Sequence, residues 1–128
     1  MKTLALSGVL ALGIGCAQAE EPVQCQAPVA PGDTRDITCS LAATSGPQRL
    51  RFTADFSGSH DDTTLSLAAT LDGAPLACAP GSKTDSSYED GQVRLECRFS
   101  VSAGPGHTLV VALRWRHAQY MGFGVAAD

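Results

Sequence analysis

Apolar and polar residues alternate along most of the chain. Leu50, Phe52, Ala54 and Phe56 mark one stretch and Leu65, Leu67, Ala69 and Leu71 the next. The same period recurs at Ile37, Cys39 and Leu41, at Val93, Leu95, Cys97, Phe99 and Val101, and at Leu109, Val111, Leu113, Trp115 and His117. A period of two predicts strands with one dry and one wet face. Past residue 19 no long window sustains a helical period.

Turn signals separate the runs: Ala30-Pro31-Gly32-Asp33, Ser45-Gly46-Pro47, Asp72-Gly73, Pro80-Gly81-Ser82, Glu89-Asp90-Gly91 and Gly104-Pro105-Gly106. Glycine supplies positive φ at such places and proline fixes its own. Asp72-Gly73, between Leu71 and Ala74, predicts a two-residue hairpin of the primed type. Strands and turns so spaced predict one all-β domain over residues 20–128, an antiparallel β-sandwich of about seven or eight short strands, immunoglobulin-like in general architecture. A small β-barrel is the alternative. An antibody-type domain would place Cys39 and Cys97 on two facing strands, a Trp where Phe52 stands and a Tyr where Leu95 stands, so the likeness stops at the architecture.

The first 19 residues stand apart. Lys2 precedes an apolar run from Leu4 to Ile14, and Ala17-Gln18-Ala19 offers small residues for signal peptidase, which predicts cleavage before Glu20. The run is far shorter than the roughly 20 residues that span a bilayer, and no transmembrane segment is expected elsewhere. Gly13-Ile14-Gly15-Cys16 could instead be read as a lipoprotein box anchoring the chain through Cys16, but Gly13 occupies a place where a large aliphatic residue is expected. Export implies a periplasmic or secreted protein. The near-exclusive use of Arg over Lys, with much Ala and Gly, suggests a bacterial source with a GC-rich genome.

Cleavage leaves Cys25, Cys39, Cys78 and Cys97, an even set bound for an oxidising space, and two disulfides are the natural reading. Loop length favours Cys25 with Cys39 and Cys78 with Cys97, whereas an immunoglobulin-type pairing would join Cys39 to Cys97. No zinc spacing is present.

Candidate chemistry is sparse. In "LRWRHAQYM", Leu113 to Met121, His117 and Met121 are both types that copper proteins use. On a strand four residues span about 13 Å, so only a sharp turn at Ala118 to Tyr120 would bring them together. "SGSHDD", Ser57 to Asp62, gathers His60, Asp61 and Asp62 but lacks the alternating spacing of a calcium loop. "GSKTDSSYEDG", Gly81 to Gly91, is the longest polar segment, and its Tyr88 is a candidate contact residue. There is no G-x-S-x-G, H-E-x-x-H, phosphate loop or free cysteine, so neither catalysis nor a cofactor is expected.

Charge brings one further expectation. After the leader the formal charge is −5, eight Lys and Arg against thirteen Asp and Glu, which argues against nucleic acid as partner. If Leu113, Trp115 and His117 face the core, Arg114 and Arg116 face water. The same phase turns Arg49, Arg51, Arg94 and Arg98 outward. Were their three strands one sheet, six of the seven arginines would share one face, with Asp55 and Glu96 as local carboxylates. These residues predict a non-catalytic binding or inhibitor module that recognises a protein or anionic glycan surface. A periplasmic protein binding copper or calcium through His60, His117 or Met121 is the alternative.

Overall fold

The computed structural model describes residues 23–59, 62–87 and 90–128. His60, Asp61, Tyr88, Glu89 and the leader with Cys16 lie outside the described residues. Nine strands are described: β1 (Val23–Gln26), β2 (Thr34–Leu41), β3 (Gln48–Ser59), β4 (Thr64–Leu71), β5 (Ala74–Pro75), β6 (Asp85–Ser87), β7 (Asp90–Val101), β8 (His107–Arg116) and β9 (Ala118–Ala127). They form two antiparallel sheets. One runs β1-β2-β8-β4-β5, with β6 also on β4, and the other runs β7-β3-β9. Facing side chains of the two sheets make one core, so the fold is a β-sandwich rather than a closed barrel.

The alternation legible in the sequence is the packing pattern. Ile37, Cys39 and Leu41 of β2, Leu109, Val111 and Leu113 of β8 and Leu65 and Leu67 of β4 are buried from one side. Leu50, Phe52, Ala54 and Phe56 of β3 and Leu95, Cys97 and Phe99 of β7 are buried from the other. Fully burying each of these larger apolar side chains stabilises by about 1.5–3 kcal/mol.

The hairpin at Asp72-Gly73 forms as expected. Both residues take positive φ, 53° and 85°, and Leu71 pairs with Ala74. Cys25 and Cys39 sit opposite each other on β1 and β2 and are joined, and a second disulfide ties Cys78, beyond β5, to Cys97 of β7. Cys39 is not bonded to Cys97.

Two expectations need correction. β8 does not lie beside β3 and β7. It pairs with β2 and β4 in the larger sheet, and the third strand of the smaller sheet is β9. His117 is not a core residue either, because the chain turns at that very position. His117 takes φ 56°, is exposed, and alone separates β8 in one sheet from β9 in the other. Residues 118–120 accordingly belong to a strand and not to a turn.

Candidate binding surface

Four of the six expected arginines share the outer face of the smaller sheet. Along β3 the outward positions Arg49, Arg51, Thr53 and Asp55 stand opposite Ser100, Arg98, Glu96 and Arg94 of β7. Asp55 and Arg94 close a forked ion pair, with Nε to Oδ1 at 2.6 Å and a second bond to Oδ2 at 3.1 Å. Both partners are well exposed, so solvent screens the pair and it adds little to stability.

Arg98 is held closely. Its backbone N–H donates to Ser82 Oγ, its carbonyl accepts from Ala79, and its guanidinium lies near Gly81. The Nε atom lies 3.1 Å from Glu96 Oε2 and 3.5 Å from Asp128 Oδ1, yet it is buried and makes no hydrogen bond. These are contacts of charge, without the alignment of a hydrogen bond.

Arg51 stands directly opposite Arg98, and Arg49 comes two residues earlier on the same face, about 7 Å along the strand. Among the described residues no carboxylate pairs with either. On their other side the outward positions of β9 are small: Ala126 opposite Arg51, Gly124 opposite Thr53 and Gly122 opposite Asp55. The row ends in Asp128, whose N–H donates to the carbonyl of Arg49 and which therefore stands beside that arginine. Asp128 is a third carboxylate on this face, brought to Arg98 because β9 runs beside β3.

Arg114 and Arg116 are separated from this face by the thickness of the sandwich. Arg114 bonds Asp36 at 2.9 Å, and Arg116 is exposed opposite Thr64.

The seventh arginine has a different role. Arg35 pairs with Leu113 on the inward phase of β2 and is half-buried. Its guanidinium lies over the Tyr120 ring, 4.6 Å from the centroid, and its NH1 group makes a long bond of 3.4 Å to the carbonyl of Ala27. Its Nε is buried with no partner. Tyr120 stacks on Trp115 at 5.5 Å, and both rings meet Phe56. Trp115 is thus half-buried at one end of the core and not at its centre. Burial raises the Tyr120 phenol above its ordinary value, partly opposed by the charge of Arg35. A signal for Arg35 was present, since Ile37, Cys39 and Leu41 carried two residues back put it on the core side.

The polar segment from Gly81 is only partly a free loop. Lys83 and Glu96 exchange backbone bonds of 2.9 and 2.7 Å, and Thr84 accepts from Leu67, so the segment bridges the flank between β7 and β4. Beneath it lies an open cleft of about 420 Å³ lined by Leu67, Ala69, Leu76, Cys78, Pro80 and Thr84. Apolar side chains share its lining with polar ones, among them Ser82 and Thr84.

His117 and Met121 are both exposed, on either side of the start of β9. Among the described residues no group of three or more His, Cys, Asp and Glu could hold a metal ion, and no helix is long and apolar enough to cross a membrane. No protein-family model matches the chain, and a search of curated proteins finds no match.

Proposed function

We propose that the protein is an exported, non-catalytic binding module of the bacterial cell envelope that takes an anionic protein or glycan surface against the outer face of β3 and β7. Arg51 carries the reading. It faces Arg98 across the strand pair with no carboxylate of its own among the described residues. Like charges directly opposite on neighbouring strands oppose pairing by about 0.2–1 kcal/mol, and an anion seated between them relieves that cost. Arg49 beside it extends the recognition, since guanidinium forks match carboxylate and sulfate oxygens two at a time. Three carboxylates answer the four arginines: Asp55 pairs with Arg94, Glu96 and Asp128 lie near Arg98, and Asp128 also stands beside Arg49, so no ion pair forms with Arg51 among the described residues. The two disulfides favour an oxidising compartment.

The experiment is elution from a heparin-type resin along a salt gradient. Exposed charges are screened over about 10 Å at 0.1 M salt, so retention belongs to low ionic strength. Wild type should be retained, Arg49→Ser/Arg51→Ser should elute early, and Arg114→Ser/Arg116→Ser on the other sheet should elute like wild type. Equal retention of the first variant and wild type, or retention of neither, overturns the reading.

A further inference from the structure

The sheet edges are guarded unequally. An edge strand exposes a row of unpaired N–H and C=O groups, and proteins blunt it with short strands, charges, proline, bulges or a covering segment. In the larger sheet the edge strands are short: β1 has four residues, β5 two and β6 three. In the smaller sheet the edge of β7 is covered by the bonds from Ala79 and Lys83. β9 is different. It is ten residues long, AQYMGFGVAA, with no charge and no proline, and among the described residues it pairs only with β3. Its single irregularity falls at Met121, where the register against β3 shifts, and residues 122–127 beyond it pair regularly.

The direction of the free groups follows from one bond. Asp128 donates its N–H to the carbonyl of Arg49, so the alternate residues Ala126 and Gly124 also turn to β3, and Phe123, Val125 and Ala127 turn their backbone groups outward from the sheet.

We infer that β9 pairs with β9 of a second copy of this chain, antiparallel, about a two-fold axis at Gly124, joining the two three-stranded sheets into one of six strands. This register satisfies three requirements together. Phe123 and Val125 of each copy become hydrogen-bonded partners, an aromatic beside a β-branched residue, which is a favourable cross-strand pair. Gly124 meets Gly124 at the close, non-hydrogen-bonded position, where two bare Cα atoms approach without hindrance. Charge also complements. Ala126 faces Gly122 of the second copy, so Arg51, Ala126, Gly122 and Asp55 of the two copies fall in one row on the outer face, and the same row repeats in reverse. Only glycine and alanine lie between these opposite charges, which stand about 14 Å apart at the backbone, three strand spacings. Asp55 already accepts two bonds from Arg94, and a carboxylate has lone pairs to receive more. The isologous symmetry closes the assembly at two copies.

Gly124 supplies the test, because its Cβ position is open and would meet only Thr53 Oγ1, at 3.7 Å. Its φ lies outside the left-handed region, so side chains are accepted there without strain. Gly124→Asp and Gly124→Lys each put like charges face to face across the axis. Sedimentation of the disulfide-bonded protein over a concentration series should give twice the chain mass for wild type and the single-chain mass for either variant. An equimolar mixture of the two variants should recover the doubled mass, which also shows that both are folded. A wild type that sediments as a single chain throughout overturns the inference. So do single variants that remain dimeric, or a mixture that does not associate.

Discussion

The hydroxyl of Thr63 donates to the carbonyl oxygen of His117, 2.9 Å away and 54 residues on in the chain. Thr63 is the one buried polar residue among those described, and it holds the corner where the chain leaves one sheet for the other. Because the Thr63 side chain is fully buried, its hydroxyl needs an acceptor, and the His117 carbonyl supplies one. Thr63→Val keeps the shape and removes the donor, and it should lower unfolding free energy in urea by about 1–3 kcal/mol. No change in the urea midpoint would mean that water replaces the hydroxyl.

The left-handed φ of His117 predicts a ranking of substitutions at the same corner. His117→Gly and His117→Val both remove the imidazole, so any side-chain interaction cancels in the comparison. A β-branched residue in that conformation is strained by about 1–2 kcal/mol, and the valine variant should be the less stable by about that amount. Equal stability would show that the corner relaxes to negative φ.

The strand phases were legible because each buried position contributes to one core, and this holds for β2, β3, β4, β7 and β8. The phase of β9 was hidden by its bulge. Tyr120 points inward, Met121 intervenes, and then Phe123 and Val125 point inward on the opposite parity, so no single alternation runs through the segment. Phase states which face a residue takes, but not which sheet its strand joins. That depends on pairing between distant segments, and for this reason Arg114 and Arg116 were grouped with arginines on the other side of the molecule. The disulfides followed from loop length, whereas the contact of Asp128 with Arg98 required knowing that β9 runs beside β3.

Arg35 offers a test in which two effects of similar size oppose each other. A half-buried cation over Tyr120 contributes about 0.5–2 kcal/mol, while a buried N–H without a partner costs about 1–3 kcal/mol. Arg35→Met keeps the long stem on the ring and removes both. Its urea midpoint should equal or exceed that of wild type. A loss greater than about 1 kcal/mol would show that the cation and its long bond to Ala27 outweigh the orphaned Nε.

Reduction should be costly. The bridges close loops with sequence separations of 14 and 19 residues, and each should contribute about 3 kcal/mol by restricting the unfolded chain. Losing both should lower the melting temperature by more than about 10 °C, since about 1 kcal/mol moves it by 4–8 °C in a domain of this size. Paired substitutions separate the two: Cys25→Ser/Cys39→Ser frees a short edge strand, whereas Cys78→Ser/Cys97→Ser frees the segment that covers β7. A melting temperature that reduction leaves unchanged would show that neither bridge constrains the unfolded ensemble.

The last prediction concerns pH and rests on Asp72 and His107. Nδ1 of His107 lies 2.6 Å from the Asp72 carboxylate and Nε2 lies 3.1 Å from the carbonyl of Ser102, so both ring nitrogens face acceptors and only the imidazolium satisfies both. The Asp72 hydrogen bond, then that to Ser102, raises the imidazole above its ordinary 6.5. The carboxylate is lowered from 3.8 by the same hydrogen bond and by the N–H of Thr108. The raised group stabilises the fold fully below pH 6.5 and loses that contribution as pH rises through its higher folded value. The lowered group stabilises above pH 3.8 and loses its contribution as pH falls through its lower folded value. The pair therefore supports the fold most between these two ordinary values. A series of urea midpoints against pH should be higher inside that window than on either side, and Asp72→Asn should flatten the fall above pH 6.5. His107→Gln should flatten the same limb. If wild type and both variants show parallel profiles there, the hydrogen bond does not favour the charged imidazole in the folded state.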